Sequence, residues 1–319
     1  MVHVVVVHVA YAFTQVLYGC LYVVINVTVG VGPGLNAFVF AGLRLAFALL
    51  TSLALVLLSR EALASIKNID RRQLALLLAC SVAAATTQML TAVGVQRAGA
   101  SFAALLQPFV PCLCLAIECF ILRQLKMTFL RALGLVLAVA GVLVLVRVWD
   151  RRVLSDQTVG MLCLVVSMFF VAVGVTCQRA LCTTAGFPPV AACCGTFLLA
   201  AAAVGPVAGW FVNDVDFGAL RWTAWLGILF CGVVVNAATE VIAFWSLRRM
   251  SAATATSYIV LQPITASLLA FFILHEPFGW AQGVGGALCV AGLASVLVAT
   301  ARENKSAQRR QLPINRADE

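Results

Sequence analysis

The sequence has few charged residues. Only 10% of its 319 residues are Asp, Glu, Lys or Arg, whereas 63% are hydrophobic. A soluble domain carries roughly a quarter charged residues, so this chain cannot cover a folded surface with groups that water solvates. The composition excludes a soluble globular protein and predicts a chain whose solvent is the lipid bilayer. The net charge of +9 does not indicate nucleic-acid binding, because the basic residues lie between apolar runs.

Long loops and the motifs of soluble enzymes are also missing. The longest loop, Ser59 to Arg72, is too short for a catalytic or nucleotide-binding domain, and no lysine follows a glycine, which excludes a Walker A loop. The twelve cysteines lie mostly inside apolar runs, and the cluster from Pro111 to Cys114 lacks the spacing and the histidines of a zinc site. We therefore expect no enzyme activity, no cofactor and no metal, with the cysteines acting as small packing residues.

What the sequence does contain is a series of apolar runs long enough to cross a bilayer. A spanning helix needs about 20 apolar residues. Nothing resembling a cleavage site accompanies the first run, so we interpret it as a retained helix rather than a signal peptide. The ten predicted spans are Val4–Val27, Asn36–Leu58, Gln73–Val95, Ala100–Leu122, Phe129–Val148, Thr158–Ala180, Pro189–Phe211, Trp222–Leu247, Ala252–Leu274 and Gly279–Thr300.

Two stretches of the chain resemble each other. Ser101–Val146 and Ala253–Leu297 each contain Leu-Gln-Pro, then a polar break, then a helix with two glycines seven residues apart, which is about two helical turns. The pattern predicts five spans in residues 1–149, five in 150–301 and a basic tail in 302–319. Because five is odd, the second copy enters the membrane upside down. The predicted fold is an all-α membrane protein with ten transmembrane helices in two inverted five-helix repeats.

The Lys and Arg residues predict how the chain is oriented. With the N-terminus in the cytosol, the cytosolic segments hold 15 Lys and Arg residues and the outer segments hold 5. Because cytosolic loops carry an excess of these residues, we expect both termini in the cytosol. The outer cluster from Arg147 to Arg152 is the exception. We expect the polar tail from Arg302 to be disordered, and the kind of membrane is left open.

Corresponding motifs occur in the two halves of the chain. They are Ser251-Ala252 to Pro263, His275-Glu276, Gly285 and Gly292 in the second half, and Gly42-Leu43-Arg44, Ala98 to Pro108, Gly134 and Gly141 in the first. These features resemble the drug/metabolite transporter superfamily, in its EamA-type branch. The second half carries the clearer pattern, and two positions depart from it: His275 stands where the family usually has glycine, and Leu125 is the first-half counterpart of Glu276. The resemblance implies ten helices, cytosolic ends, a central cavity, and export or exchange of small polar metabolites.

Two charged residues lie inside predicted spans. Glu240 follows Asn236 by one turn, and a charged group at the bilayer centre costs roughly 2.5–3.5 kcal/mol, so it must face protein or water. It is either a carboxylate that binds a substrate amine or couples a proton, or a packing acid paired with Arg44 or a neighbouring hydroxyl. Arg44 is either a clamp for a substrate carboxylate or an anchor that snorkels or pairs internally.

Other polar side chains predict the walls of a cavity. Gln107 and Gln262 each precede a proline, which removes a backbone donor and exposes polar backbone inside the membrane. Each glutamine is a candidate hinge or cavity wall, and a plain helix kink is the alternative. Alone, any of the remaining candidates could be a hydrogen bond between helices; as a set with Asn236 they outline a neutral-to-polar pocket. They are Gln15, Tyr18, Thr87, Gln88 and Tyr258.

Polar residues also lie at the ends of spans. His275 and Glu276 follow the ninth span, where we expect an outer gate or a helix cap, with a pH role as a further hypothesis. Glu118, near the end of the fourth span, is expected to pair with Arg123 or Lys126 rather than to bind substrate.

The function predicted from this set is secondary active transport of small polar metabolites, such as amino-acid-like solutes, by alternating access. A sugar-phosphate or nucleotide-sugar exchanger is the alternative, although it should place several Lys or Arg residues in the cavity. A channel and an intramembrane enzyme rank lower. The predicted partners are the bilayer, a small-molecule substrate and, as a candidate coupling ion, the proton, with no nucleic acid, in a monomer or dimer.

Overall fold

The part of the chain that the structure describes is mostly helical. This computed structural model covers residues 2–30, 35–123, 127–146, 156–247, 258–275 and 279–311, and no β-strand occurs in these ranges. Within them, seven helices are long and apolar enough to cross a membrane, and three more apolar helices have 10–17 residues. Together they account for the ten predicted spans, so the all-α membrane fold is confirmed.

The ten helices are numbered in chain order. Turns of wider π-helix follow α1, α4, α6 and α9, and the nine-residue π segment Phe230–Ala238 joins the two parts of α8. Short helices also precede α3 (Arg60–Lys67) and α4 (Ala100–Leu105). The helices are α1 (Val2–Ile25), α2 (Ala37–Leu58), α3 (Arg71–Ala98), α4 (Phe109–Ala116), α5 (Phe129–Val146), α6 (Asp156–Arg179), α7 (Pro189–Trp210), α8 (Trp222–Leu229 and Thr239–Leu247), α9 (Leu261–Leu269) and α10 (Trp280–Gln311).

Side chains near the helix ends satisfy backbone groups that the helices leave unpaired. The Asn36 side chain accepts a hydrogen bond from the backbone N–H of Phe38 at 2.9 Å, where α2 begins. At the start of α3, the Gln73 side chain accepts from the N–H of Asp70 at 3.0 Å and donates to the carbonyl oxygen of Ala185 at 2.9 Å. Gln73 thereby ties the first turn of α3 to the segment that follows α6.

The two glycine helices, α5 and α10, run antiparallel in close contact. A Cβ added to Gly134 would lie 2.7 Å from the carbonyl oxygen of Gly292, and one added to Gly141 would lie 2.7 Å from that of Gly285. The earlier glycine of α5 therefore faces the later glycine of α10. Because no side chain separates the backbones, the helices approach closely. This is the arrangement that an inverted repeat requires.

Other pairs of helices join the two halves in the same antiparallel way. In each pair, an early residue of one helix meets a late residue of the other, and each pair takes one helix from each half. The pair α1 with α8 is the repeat counterpart of α6 with α3. The contacts are Thr28 with Gly227 (the π turn after α1, and α8), Gly94 with Leu164 and Ala83 with Gly174 (α3 and α6), and Gly42 with Ala208 (α2 and α7). The halves are therefore oppositely oriented, as predicted.

The first Leu-Gln-Pro motif interrupts the helical backbone, whereas the second forms the first turn of α9. Before α4, the N–H of Phe109 bonds the carbonyl oxygen of Leu106 at 3.0 Å, and that of Val110 bonds Gln107 at 3.0 Å, a tighter spacing than in an α-helix. A short 3₁₀ turn, Tyr258–Val260, likewise precedes α9. The π turns that end both segments are followed by residues with positive φ, Arg123 at 52° and His275 at 53°. The break that the proline predicts is therefore present before α4, whereas Pro263 lies in the first turn of α9.

Within the described residues, the structure differs from two expectations about the ends of helices. The tail was expected to be disordered from Arg302, but α10 continues to Gln311, because Ala, Arg, Glu, Lys and Gln in this stretch are good helix formers. Glu118 pairs with Arg179 of α6 at 2.9 Å instead of with Arg123. Lys126, the other expected partner, lies outside the described residues, as does the predicted gate residue Glu276.

Candidate functional site

Helix α1 carries a line of polar side chains along one face. His8, Tyr11, Gln15, Tyr18 and Tyr22 follow one another at spacings of three and four residues, which keeps them on a single face over about 21 Å. We call this set the α1 polar face. Only Gln15 and Tyr18 were predicted. The other three follow the same spacing, so the periodicity was the signal that could have found them.

The middle of the α1 polar face binds the second Leu-Gln-Pro motif. Gln262 Nε2 donates to Gln15 Oε1 at 2.5 Å, and Gln15 Nε2 donates to Thr14 Oγ1 at 3.3 Å. Gly19 makes this contact possible, because a Cβ there would lie 2.7 Å from the Thr265 Cβ and 2.9 Å from the Gln262 carbonyl oxygen. Two of the predicted residues, Gln15 and Gln262, are therefore direct partners.

The first Leu-Gln-Pro motif binds the same face two turns further along. Gln107 Nε2 donates to the hydroxyl oxygen of Tyr22 and lies 3.4 Å from the sulfur of Met168. Gln107 and Gln262 are 7% and 8% exposed, so both amides are buried in protein. The equivalent glutamines of the two inverted halves thus reach one face of one helix.

Aromatic rings gather near the N-terminal end of the α1 polar face. The Tyr258 hydroxyl lies 3.0 Å from His8 Nδ1. The Tyr258 ring also meets the Tyr11 ring edge-on, with centroids 6.0 Å apart. Tyr258, a predicted cavity residue four positions before Gln262, therefore also contacts α1.

Glu240 faces Tyr18 of α1. The Tyr18 phenol interacts electrostatically with the Glu240 carboxyl group and lies near Thr239, and Thr239 Oγ1 donates to the carbonyl oxygen of Val235. Of the two packing partners considered for Glu240, a neighbouring hydroxyl faces it, whereas no salt bridge joins it to Arg44 within the described chain. The wide π turn before Thr239 sets this register, and such turns are frequent at functional sites.

Arg44 is buried between α1, α2 and α8. Its side chain is 2% exposed, its Cζ lies 5.6 Å from the Phe40 ring centroid, and it interacts with the Cys231 thiol and Tyr22. Neither Nε nor Nη1 has a hydrogen-bond partner in the described part of the chain. The snorkelling alternative is therefore wrong, because the guanidinium has not reached solvent or the lipid surface.

Three other predicted cavity residues also have unpaired buried atoms. These atoms are Thr87 Oγ1 and Gln88 Oε1 of α3 and Asn236 Nδ2 of α8, with no hydrogen-bond partner among the residues described. Buried polar atoms are nearly always paired with protein or water. Together with the free donors of Arg44, they offer both acceptor and donor capacity inside the bundle.

His275 lies apart from these residues. It caps the last turn of the π segment Ala270–Leu274 in the left-handed conformation, and its side chain is exposed. No hydrogen bond or ion pair joins that side chain to another described residue. A left-handed cap explains why the family pattern has glycine here, because glycine adopts positive φ without strain.

The comparison with known families settles which group the fold represents. Two stretches, 9–147 and 158–298, each match the EamA-like transporter family. The chain belongs to the EamA-like transporter family. It is a multi-pass integral membrane protein of a transporter family, and the resemblance to the drug/metabolite transporter superfamily is confirmed. The two matched stretches each contain five of the ten helices.

Two individual proteins are similar to this EamA-family chain. The WAT1-related protein At1g01070 of Arabidopsis thaliana is 32% identical over 79 residues, a match that spans 25% of this chain and 22% of the relative. A protein of known crystal structure has the same fold, with a TM-score of 0.60 and 16% identity, over 92% of this chain and 96% of that one. The second likeness concerns the fold alone.

Proposed function

We propose that this EamA-family protein is a secondary active transporter that carries small polar, amino-acid-like metabolites by alternating access. The observation that carries the proposal is the junction at the α1 polar face. Equivalent glutamines from oppositely oriented halves, Gln107 and Gln262, both donate to that face. If one half rocks against the other around this junction, the site opens to each side of the membrane in turn. Both termini lie in the cytosol in this proposal.

The chemistry of the junction supports a zwitterionic substrate. Among the described residues at this junction, the Glu240 carboxyl group and the Arg44 guanidinium lie among amides, phenols and the His8 imidazole, and no salt bridge joins the two charged groups. An ammonium group suits the first and a carboxylate suits the second. A sugar phosphate or nucleotide sugar carries about two negative charges at pH 7, and a single buried guanidinium would leave one of them uncompensated.

The energy in this proposal comes from an ion or solute gradient. The chain has no Walker A motif for ATP. Glu240 is the candidate group for coupling a proton, because a carboxyl group buried in a membrane protein can exchange its proton as the environment changes. The proton and the bilayer are the proposed partners besides the substrate, in a monomer or a dimer.

Counterflow in proteoliposomes tests the proposal. Vesicles with purified protein are loaded with one unlabelled amino acid, and uptake of the same labelled amino acid is followed for each of the twenty in turn. Saturable counterflow of at least one amino acid is expected. Non-saturable flux would indicate a channel instead, and exchange of glucose 6-phosphate without amino-acid counterflow would favour the alternative exchanger.

The control variant for this counterflow assay is Glu118→Gln. It removes an acid that is paired with Arg179 outside the α1 polar face, so its transport should match that of the unmodified protein. Empty liposomes measure passive leakage. Counterflow by neither amino acids nor sugar phosphate would contradict the proposed substrate class.

A further inference from the structure

The side chain of Arg44 is a buried cation without a buried anion. It lies in the eighth position of α2, about 10 Å along the axis from the first residue, Ala37. Its neighbours include the Cys231 thiol and the Phe40 ring, and it interacts electrostatically with the Tyr22 phenol. None of these carries a full negative charge at neutral pH. An unpaired charge inside the protein is unfavourable, so the site favours an anion that the described residues do not supply.

The Arg44 guanidinium has N–H donors that no described residue accepts from. An arginine has five N–H donors, one of them on Nε and two on Nη1. Since Nε and Nη1 have no partner within the described residues, three of the five are unused. A planar guanidinium with free donors matches the two oxygens of a carboxylate in geometry and charge. One positive charge balances one carboxylate, whereas a phosphate dianion would keep an uncompensated charge.

Neighbouring groups place this cation beside the proposed transport site. Tyr22, which interacts with Arg44, accepts the hydrogen bond from Gln107. Tyr18, one turn earlier on α1, holds Glu240. Four residues of helix span about 6 Å, a separation that a small amino acid and its hydrogen bonds can bridge. Asn236 Nδ2, unpaired among the described atoms, lies one turn before Glu240 on α8.

We propose that Arg44 is the carboxylate-binding subsite of this protein, with Tyr22 beside it and Glu240 receiving the ammonium group of the same ligand. The subsite rests on the proposed transport function, which it deepens by assigning the anionic end of the substrate to one residue. It selects solutes with a free carboxylate over their amides.

Thermal stabilisation of the purified wild-type protein tests the subsite without any variant. The probes are the twenty L-amino acids, their C-terminal amides, and acetate, butyrate and benzoate with the matching amides, all at equal ionic strength. At least one carboxylate should raise the unfolding temperature, and its amide should raise it much less. If no carboxylate stabilises the protein, or if acid and amide stabilise it equally, the proposal is overturned.

Variants then assign the selectivity to Arg44. Arg44→Gln should weaken binding of the stabilising carboxylate on the order of 10- to 100-fold, the loss of one charge-assisted interaction, and leave its amide unchanged. Arg131→Gln is the matched control, because Arg131 is another arginine with 1% exposure but lies in α5. If Arg44→Gln does not fold, Arg44→Lys keeps the charge without the planar fork and should reduce the preference for acid over amide. A preference unchanged in a folded Arg44 variant overturns the assignment.

The two proposals fail separately. If carboxylate binding depends on Arg44 but no amino acid shows counterflow, the subsite is supported and the proposed transport substrate is contradicted. If amino acids and their amides show counterflow at equal rates, the transport function is supported and the carboxylate subsite is contradicted.

Discussion

Replacing Gly19 with alanine should separate α1 from α9. The new Cβ would lie 2.7 Å from the Thr265 Cβ and 2.9 Å from the Gln262 carbonyl oxygen. Carbon atoms in contact lie about 3.5–4.0 Å apart, so the helices must move apart by about 1 Å. That shift would lengthen the 2.5 Å bond between Gln15 and Gln262 to about 3.5 Å, outside hydrogen-bonding range. Overpacking of this kind costs about 1–3 kcal/mol.

The assay compares thermal unfolding in detergent with counterflow in proteoliposomes. Gly19→Ala should unfold at a lower temperature and transport more slowly. Gly174→Ala is the matched control in α6, because its Cβ would lie 3.4 Å from the Ala83 Cβ, an ordinary contact; it should equal the wild type. The reasoning is refuted if Gly19→Ala is as stable and active as the wild type, or if Gly174→Ala is equally damaging.

Three further substitutions test individual side chains. Glu240→Gln should be expressed normally but should not transport, or should transport without coupling to a pH gradient. The reason is that it removes the only carboxyl group that faces Tyr18 in the described structure. Normal, still pH-dependent uptake would exclude Glu240 from the mechanism. His275→Gly should raise the unfolding temperature, since a left-handed backbone costs a non-glycine residue about 1–2 kcal/mol, and a loss of counterflow would instead reveal a gating role for the imidazole. Glu118→Gln should change the unfolding free energy by less than about 1 kcal/mol, because its partner Arg179 is 58% exposed; a larger loss in a denaturant titration would show that this ion pair is structural.

Features that recur along the chain were predictable from the sequence. Spans follow from the length of apolar runs, and inversion follows from five spans in each copy. The seven-residue spacing of Gly134 and Gly141, repeated at Gly285 and Gly292, correctly marked the faces on which α5 and α10 meet. In these cases a local pattern determines the packing directly.

Contacts between distant parts of the chain were less predictable. The periodicity of α1 could have revealed Tyr22 as a polar-face residue, but not that Gln107 binds it, because the π turns and proline breaks shift the register between helices. For the same reason the sequence did not reveal that Glu118 pairs with Arg179, in the other half of the chain. The candidate site residues could therefore be identified as polar residues within apolar runs, whereas their pairing required the fold.

Alternating access at the α1 polar face is the central claim, and the labelling of one cysteine from both sides of the membrane tests it most directly. The twelve native cysteines would be replaced by alanine and Tyr11→Cys introduced on the α1 polar face, which leaves the hydrogen bond between Gln15 and Gln262 intact. A membrane-impermeant thiol reagent should react with this cysteine from the cytosolic side and, in separate vesicles, from the outer side, and a transported amino acid should slow both reactions. Reaction from one side only, or from neither, would contradict the account.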